Sequence, residues 1–339
     1  MSHPARRELR QAPLVMAPPR AYVRRLGQTV LRGVWMLKPI GPMPEVVLGP
    51  DLPDLQRIST RNGRTAIRVL PGPLGSTPVL FLHGVTWTSA LNFHDVIEAA
   101  SRRHTCILMD HRGHGHGMPR RRDLDMPMLA DDAVAVLDAL GIDRAIVVGF
   151  SLGTLTSLHI ANGHPDRLEG MVLTAGGLSL YGNLGERAVM HALVAILRLW
   201  ASLGLPVSLP ARYFGLTRSE GSEDLDGLWP WIRSELALTS AKAVASAGRA
   251  ASQHNLRNAT RRLRRVPAHV VVHQHDGLIP PWLQFELADA LGASTTVISA
   301  DHEAPVSHPG LYRDAVLEGI AVLDRRHSDS GPTPTRAGS

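Results

Sequence analysis

Ser151 follows an apolar stretch and forms the centre of the pentapeptide G-F-S-L-G. The apolar stretch predicts a strand over residues 145–148, and the residues after the pentapeptide predict a helix. A sharp turn from strand to helix strains its central residue, so the positions two before and two after it must be glycine. The turn lifts the serine oxygen off the backbone, and the Leu152 amide points to the same place at the positive end of the helix. This pattern predicts a nucleophilic serine.

A serine becomes a good nucleophile only when a base removes its proton, and that base must itself be oriented. Asp276 follows one apolar predicted strand, and His302 follows the next. Both therefore lie at the carboxyl ends of strands, where ligands gather in open α/β sheets. His273, His275 and His308 compete for the role, but their positions favour a strand end, a loop and a helix start. We predict that His302 is the base and that Asp276 orients it.

The loop after the third predicted strand, L-F-L-H-G-V-T-W, is expected to supply an oxyanion donor. Acyl transfer needs two aligned amides, and each donor contributes on the order of 10²–10³ in rate. We assign the Leu152 amide and the Val85 amide, because Gly84 lets the backbone approach closely. His83 is interpreted as a hydrogen bonder of the loop. Trp87 either forms a wall of the substrate pocket or packs in the core.

These motifs resemble those of the α/β-hydrolase superfamily, in the branch that carries a helical cap. The resemblance covers residues 56–325 and includes four further segments: D-H-R-G-H-G after the fourth predicted strand, H-P-D-R before the sixth, H-D-G-L-I-P around Asp276 and D-H-E-A-P around His302. It implies an α/β fold with a mostly parallel eight-stranded sheet, flanked by helices and carrying an inserted helical cap.

The resemblance also implies the roles of individual residues. It implies that Ser151 is the nucleophile, Asp276 the acid and His302 the base. It also implies that the amides of Val85 and Leu152 bind the oxyanion. Two positions differ from the family: Asp301 precedes the base where Gly is common, and His275 replaces an Arg or a small polar residue. Neither difference alters the triad, but Asp301 is placed to perturb the base or to shape the entrance.

The order of strands and helices along the chain predicts βαβ units, a mainly parallel sheet and an initial antiparallel hairpin. About 90 residues separate the sixth predicted strand from the seventh, and a structureless loop of that length does not fit a compact domain. We therefore expect a helical insertion. The chain then divides into a basic N-terminal extension with an amphipathic helix (1–55), a hydrolase core (56–178 and 265–325), a helical cap (179–264) and a disordered tail (326–339).

The segment A-L-V-A-I-L-R-L-W-A-S-L, residues 192–203, is apolar nearly all round but too short to cross a bilayer. Two compatible interpretations are a buried cap helix and a helix with one face lining an apolar substrate cavity. On the second interpretation, the predicted substrate-binding residues are Trp87, Phe150, Leu197 and Trp200.

The 339 residues carry a formal charge of +6, and nearly all the positive charge is arginine. Residues 20–37 combine an apolar helical face with arginines. They predict either a helix docked on the protein, which is favoured, or one lying on an anionic membrane surface. A twin-arginine export signal lacks its continuous apolar region here. No stretch reaches the ~18 apolar residues of a membrane span, so we expect a cytoplasmic protein with peripheral membrane contact as an option.

Composition and motifs also bear on disulfides, metal ions, cofactors and nucleic acid. The single cysteine excludes an intrachain disulfide and a cysteine cluster for zinc. The histidines of D-H-R-G-H-G-H-G match a structural loop of the family, so we expect no metal and no cofactor. The basic segments lack a motif that reads nucleic acid. Oligomeric state is left open by the sequence.

The expected reaction is hydrolysis of a carboxylic ester with a hydrophobic part, through an acyl-enzyme. A serine at this position argues against haloalkane dehalogenase and epoxide hydrolase chemistry, which in this superfamily uses Asp. Acyl transfer to another acceptor, and hydrolysis of thioesters, lactones or carbon–carbon bonds, stay open because the fold does not decide among them. A binding protein without activity is disfavoured by the complete triad.

Overall fold

The computed structural model describes residues 49–203 and 228–329. Within them one eight-stranded sheet runs through the molecule in the order β1-β2-β4-β3-β5-β6-β7-β8. Strands β1 and β2 form an antiparallel hairpin and β2 pairs antiparallel with β4, whereas all the other neighbours are parallel. The predicted fold class is confirmed. The strands are β1 (Leu55–Thr60), β2 (Gly63–Leu70), β3 (Val79–Leu82), β4 (Cys106–Met109), β5 (Ala145–Phe150), β6 (Leu168–Thr174), β7 (Ala268–His273) and β8 (Ser294–Ile298).

Helices cover both faces of this sheet. The central strands β3, β4, β5 and β7 are buried along their whole length, as continuously apolar strands must be. The helices of the core are α1 (Ser89–Ser101), α2 (Met126–Ala139), α3 (Leu152–Gly163), α7 (Thr260–Leu263), α8 (Pro281–Leu291), α9 (Ala304–Ser307) and α10 (Pro309–Asp329). Helices α1 and α10 pack on one face, while α2, α3 and α8 pack on the other.

The long interval between β6 and β7 is mostly helical where it is described. It contains α4 (Leu184–Ser202), α5 (Trp229–Ala237) and α6 (Ala241–Ser252), which together form the cap. Helix α4 packs on α6, and α5 packs on α1. Side chains at the starts of α4 and α6 cap the helices: Asn183 accepts from the Glu186 amide, and Ser240 accepts from the Ala243 amide.

Two predicted boundaries need correction. The segment after α6 returns to the core before residue 264, because Leu256 and Leu263 are buried in the same apolar cluster as the sheet. Helix α10 continues to Asp329, past the predicted start of the tail at 326, because no Gly or Pro interrupts it before residue 331.

Several sequence predictions fall outside the described residues. They concern the N-terminal extension up to residue 48, including the amphipathic helix at 20–37, the cap segment 204–227 and residues 330–339. Among the helices that are described, none has both the length and the apolar character needed to cross a membrane.

Candidate active site

The turn between β5 and α3 is strained at Ser151, which has φ 52° and ψ −111°. A Cβ at Gly149 would lie 2.5 Å from the Gly153 carbonyl oxygen, and a Cβ at Gly153 would overlap the Leu82 carbonyl of β3. Both positions therefore need glycine, as the sequence predicts. Helix α3 packs against β3 and β5, and a strained residue persists only where the surrounding structure holds it in this way.

The structure brings Ser151, His302 and Asp276 together, although 151 positions separate the serine from the histidine. His302 Nε2 lies 3.2 Å from Ser151 Oγ, and His302 Nδ1 lies 2.8 Å from Asp276 Oδ2. The carboxylate is buried and the serine is half-buried. Ser151, His302 and Asp276 thus form one continuous hydrogen-bonded line, in the arrangement predicted for a nucleophile, a base and an orienting acid.

Asp276 is held by more than the histidine. Its Oδ1 accepts the amides of Leu278 and Ile279, both at 2.8 Å, and its Oδ2 also accepts Gln284 Nε2 at 3.2 Å. Burial opposes ionisation, but the charge and hydrogen bond of His302 and the backbone donors keep the pKa of Asp276 below its ordinary value. The carboxylate is therefore ionised at neutral pH and able to stabilise a positively charged imidazole.

The predicted oxyanion loop, residues 83–88, lies beside Ser151. A Cβ at Gly84 would lie 3.5 Å from Ser151 Cβ and 3.0 Å from the Phe150 ring. The Gly84 carbonyl accepts His83 Nδ1 at 2.7 Å and the Trp87 amide at 3.3 Å. Because a peptide is planar, these two bonds also fix the direction of the Val85 N–H.

The second predicted donor sits at the first position of α3. A helix leaves its first amides without an intrahelical partner, and the helix dipole makes that end positive. Leu152 occupies this position next to the nucleophile, and its side chain is buried. The structure thus places both predicted donor residues beside Ser151.

Comparison with known proteins agrees with the fold. A family model described as α/β hydrolase fold matches residues 77–203. The solved structure of a hydrolase from Pseudomonas aeruginosa superposes with a TM-score of 0.65 at 24% identity, covering 78% of this chain and 97% of that one. An enol-lactonase from Burkholderia xenovorans superposes with a TM-score of 0.63 at 23% identity, covering 78% and 100%.

The chain has the α/β-hydrolase fold, and its residues 77–203 match the family model of that description. RutD of Caulobacter vibrioides, provisionally named a carbamate hydrolase, is 35% identical over 138 residues, which are 36% of this chain and 51% of that protein. The chain thus spans about half the length of this curated relative. RutD of Enterobacter cloacae, with the same provisional name, is 26% identical over 77% of this chain and 98% of its own length.

In this α/β-hydrolase fold, buried histidines support the oxyanion loop. His83 Nε2 accepts the His111 amide at 2.8 Å, so its proton is on Nδ1, where it donates to Gly84. Burial and the nearby His114 keep the pKa of His83 well below its ordinary value, so the ring is neutral. His114 Nε2 contacts the Val85 carbonyl at 2.6 Å. In the described part of the chain, no three His, Cys, Asp or Glu side chains are placed to hold a metal ion.

The other histidines considered from the sequence have different contacts. His273 Nδ1 donates to the Asp301 carbonyl at 2.9 Å, and burial lowers its pKa to about 4. His275 contacts Ser299 Oγ at 3.1 Å, and His308 contacts the Ser307 side chain.

Asp301 occupies a position where the family commonly has Gly. Its side chain contacts the residues that follow His302. Its Oδ1 accepts the Glu303 amide at 3.0 Å and Ser307 Oγ at 3.2 Å. Its carbonyl accepts His273. Asp301 therefore shapes the loop that carries His302.

Two predicted substrate-binding residues lie in the core. Phe150 is completely buried, and its ring centre lies 5.2 Å from that of His302. Trp87 is 4% exposed, and its ring centre lies 5.6 Å from that of Phe150. The two rings pack together beside His302, and their contact with a substrate stays a prediction. The side chains of Leu197 and Trp200 lie outside the described part of the molecule.

Sequence reasoning missed two features of the site. Gln284 is completely buried, donates to both Asp276 and the Ile279 carbonyl, and accepts the His273 amide. The sequence feature that could have identified Gln284 is its position as a lone glutamine among the core-facing leucines of α8. The other feature is an apolar cluster that joins the side chains of the two oxyanion residues to the cap. Its members include Val85, Leu152, Leu155, Leu180 and the α6 residues Ala247, Ala250 and Ala251.

Gly153→Ala tests the packing that holds the elbow. The added methyl group meets the Leu82 carbonyl, so we expect the free energy of unfolding to fall by about 1–3 kcal/mol. Thermal unfolding followed by circular dichroism measures the change. Gly163→Ala, at the other end of α3, is the matched control because nothing lies within 4 Å of its added Cβ. Equal stability of the two variants would contradict the steric account.

Proposed function

We propose that the chain is a serine hydrolase that cleaves carboxylic esters through an acyl-enzyme. The observation that carries this proposal is the line of contacts from Ser151 Oγ to His302 at 3.2 Å and from His302 to Asp276 at 2.8 Å, beneath the oxyanion loop. A serine beside a base that is itself oriented by a buried carboxylate is suited to attack a carbonyl carbon.

The proposed cycle has two halves. Ser151 Oγ attacks the carbonyl while His302 Nε2 takes its proton, and the oxyanion lies toward the amides of Val85 and Leu152. The tetrahedral intermediate collapses as His302 returns the proton to the leaving alcohol, which leaves an acyl-serine. A water molecule then repeats the attack with His302 as base, releasing the acid and free Ser151.

Asp276 stabilises the charged intermediate state of the base. Each half of the cycle places a positive charge on His302 next to the ionised carboxylate. Because Leu278, Ile279 and Gln284 already donate to that carboxylate, it is held in place before the reaction begins. This arrangement avoids reorganisation during charge formation, which is the main source of electrostatic catalysis.

The apolar cluster beside the oxyanion loop supports an ester with a hydrophobic part as the substrate. Val85 and Leu180 are partly buried members of this cluster, and α6 contributes only alanines. Such a wall favours an alkyl or aryl group through apolar burial, at about 0.8 kcal/mol for each CH₂.

Carbamates are the second candidate substrate class. The relative from Enterobacter cloacae aligns over 98% of its own length and carries a carbamate hydrolase name. A carbamate also presents a carbonyl to the nucleophile, so the same residues serve both substrates. The apolar wall favours the hydrophobic ester.

Labelling with a fluorophosphonate probe tests the nucleophile. We expect the wild type to be labelled at Ser151 and Ser151→Ala to be unlabelled, because only an activated serine reacts with the probe. Ser179→Ala is the control, because Ser179 is completely buried and bonds to Tyr181. Labelling that persists in Ser151→Ala would contradict the assignment.

Esters of graded acyl length, with matching carbamates, test the substrate class. We expect octanoyl esters to have a higher kcat/KM than acetyl esters and both to exceed the carbamates. Leu180→Ser should weaken this preference by about tenfold, because it removes apolar contact from the wall. Leu184→Ser is the control, because this cap leucine is 79% exposed. A preference for acetyl esters would contradict the proposed wall.

A further inference from the structure

Cap helix α5 places a buried carboxyl group against the oxyanion loop. Glu235 is 7% exposed, and its Oε2 accepts a hydrogen bond from the Thr88 hydroxyl. Thr88 is completely buried and caps the start of α1, where its Oγ1 accepts the Leu91 amide at 3.1 Å. One hydroxyl group therefore joins the cap to the last residue of the oxyanion loop.

Thr88 directly follows the part of the loop that fixes an oxyanion donor. The Trp87 amide donates to the Gly84 carbonyl, which shares its planar peptide with the Val85 N–H. The Trp87 side chain belongs to the same apolar cluster as Trp231 of α5. A displacement of α5 therefore acts on two consecutive loop residues, and through them on the peptide that carries the Val85 amide.

Charged and titratable groups of the core surround Glu235. Asp110, at the end of β4, accepts the Ser89 amide and hydroxyl and repels a second negative charge. Arg68 on β2 and His116 in the loop after β4 favour the ionised form of Glu235. Burial is the largest effect. Together with Asp110 it raises the pKa of Glu235, and the Thr88 hydrogen bond, Arg68 and His116 offset only part of that rise.

We propose that Glu235 is a positioning residue that couples the docking of α5 to the geometry of the oxyanion loop, with the protonated carboxyl as the docked form. Its kinetic consequence rests on the hydrolase function proposed above. Because the pKa of Glu235 is raised in the folded state, the protonated carboxyl stabilises the docked position of α5. This stabilisation is complete below the ordinary pKa of glutamate. It is lost as the pH rises through the raised value, where Glu235 gains a charge beside Asp110 that Thr88, Arg68 and His116 compensate only in part.

Glu235→Gln and Glu235→Ala test the coupling. The glutamine keeps an acceptor for Thr88 but cannot ionise, so its kcat on an octanoyl ester should stay near that of the wild type at low pH. The ratio of kcat for Glu235→Gln to that for the wild type should rise about tenfold between about pH 5 and pH 9. Glu235→Ala should lower kcat by roughly tenfold with little change in KM, because Thr88 loses its acceptor.

Glu186→Gln is the matched control within the cap. Glu186 lies in the first turn of α4, and its carboxylate accepts the Gly182 amide at 2.6 Å. The ratio of kcat for Glu186→Gln to kcat for the wild type should not change with pH. A flat ratio for Glu235→Gln in active enzymes overturns the proposal.

Amide hydrogen exchange provides a readout that does not depend on catalysis. Each amide exchange rate is divided by the intrinsic rate at the same pH. This ratio should rise with pH for α5 and for residues 83–91 in the wild type, and it should stay constant in Glu235→Gln. If no variant hydrolyses an ester but this pattern is seen, the coupling stands and the proposed function fails. Exchange that changes in α5 alone, or equally in both proteins, overturns the coupling.

Discussion

The contact of Gly153 with the Leu82 carbonyl is the constraint on which the rest of the site depends. Leu82 ends β3, and Gly153 lies in the first turn of α3, so this contact sets how closely the helix approaches the sheet. The same approach holds Ser151 at a positive φ. Since the oxyanion loop continues directly from β3, the contact also brings that loop to the positive end of α3.

A second constraint is the burial of charge at the carboxyl edge of the sheet. Asp276 remains ionised because backbone amides, Gln284 and His302 all donate to it. Gln284 and His273 connect this carboxylate to the loop that carries the base. Removal of one partner would leave the others with unsatisfied buried groups, so the network is expected to act as a unit.

The sequence predicts those parts of the site that local patterns encode. An apolar run ending in G-F-S-L-G is enough to predict a strand, a turn and an exposed nucleophile, and the polar residues after β7 and β8 predict a shared edge. The packing of a side chain at the end of a strand is not encoded in this way. Phe150, the last residue of β5, is completely buried with its ring beside that of His302, and the apolar run alone does not predict this contact.

Features that depend on distant partners also escape local reasoning. Glu235 meets Thr88 across 147 positions of the chain, and no periodicity in α5 marks it as buried. The return of the chain to the core at Leu256 has the same cause, because its burial depends on packing against the sheet. The fold class follows from the order of strands and helices, whereas these contacts require the assembled structure.

Direct observation of the acyl-enzyme tests the central claim that the elbow, the base and the acid form one catalytic unit. Mixing the protein with an octanoyl ester and quenching within the first turnover should give an octanoyl adduct on the peptide that contains Ser151, detected by mass spectrometry. The adduct should disappear as hydrolysis continues. Turnover without an adduct at Ser151, or an adduct on another residue, would contradict the account.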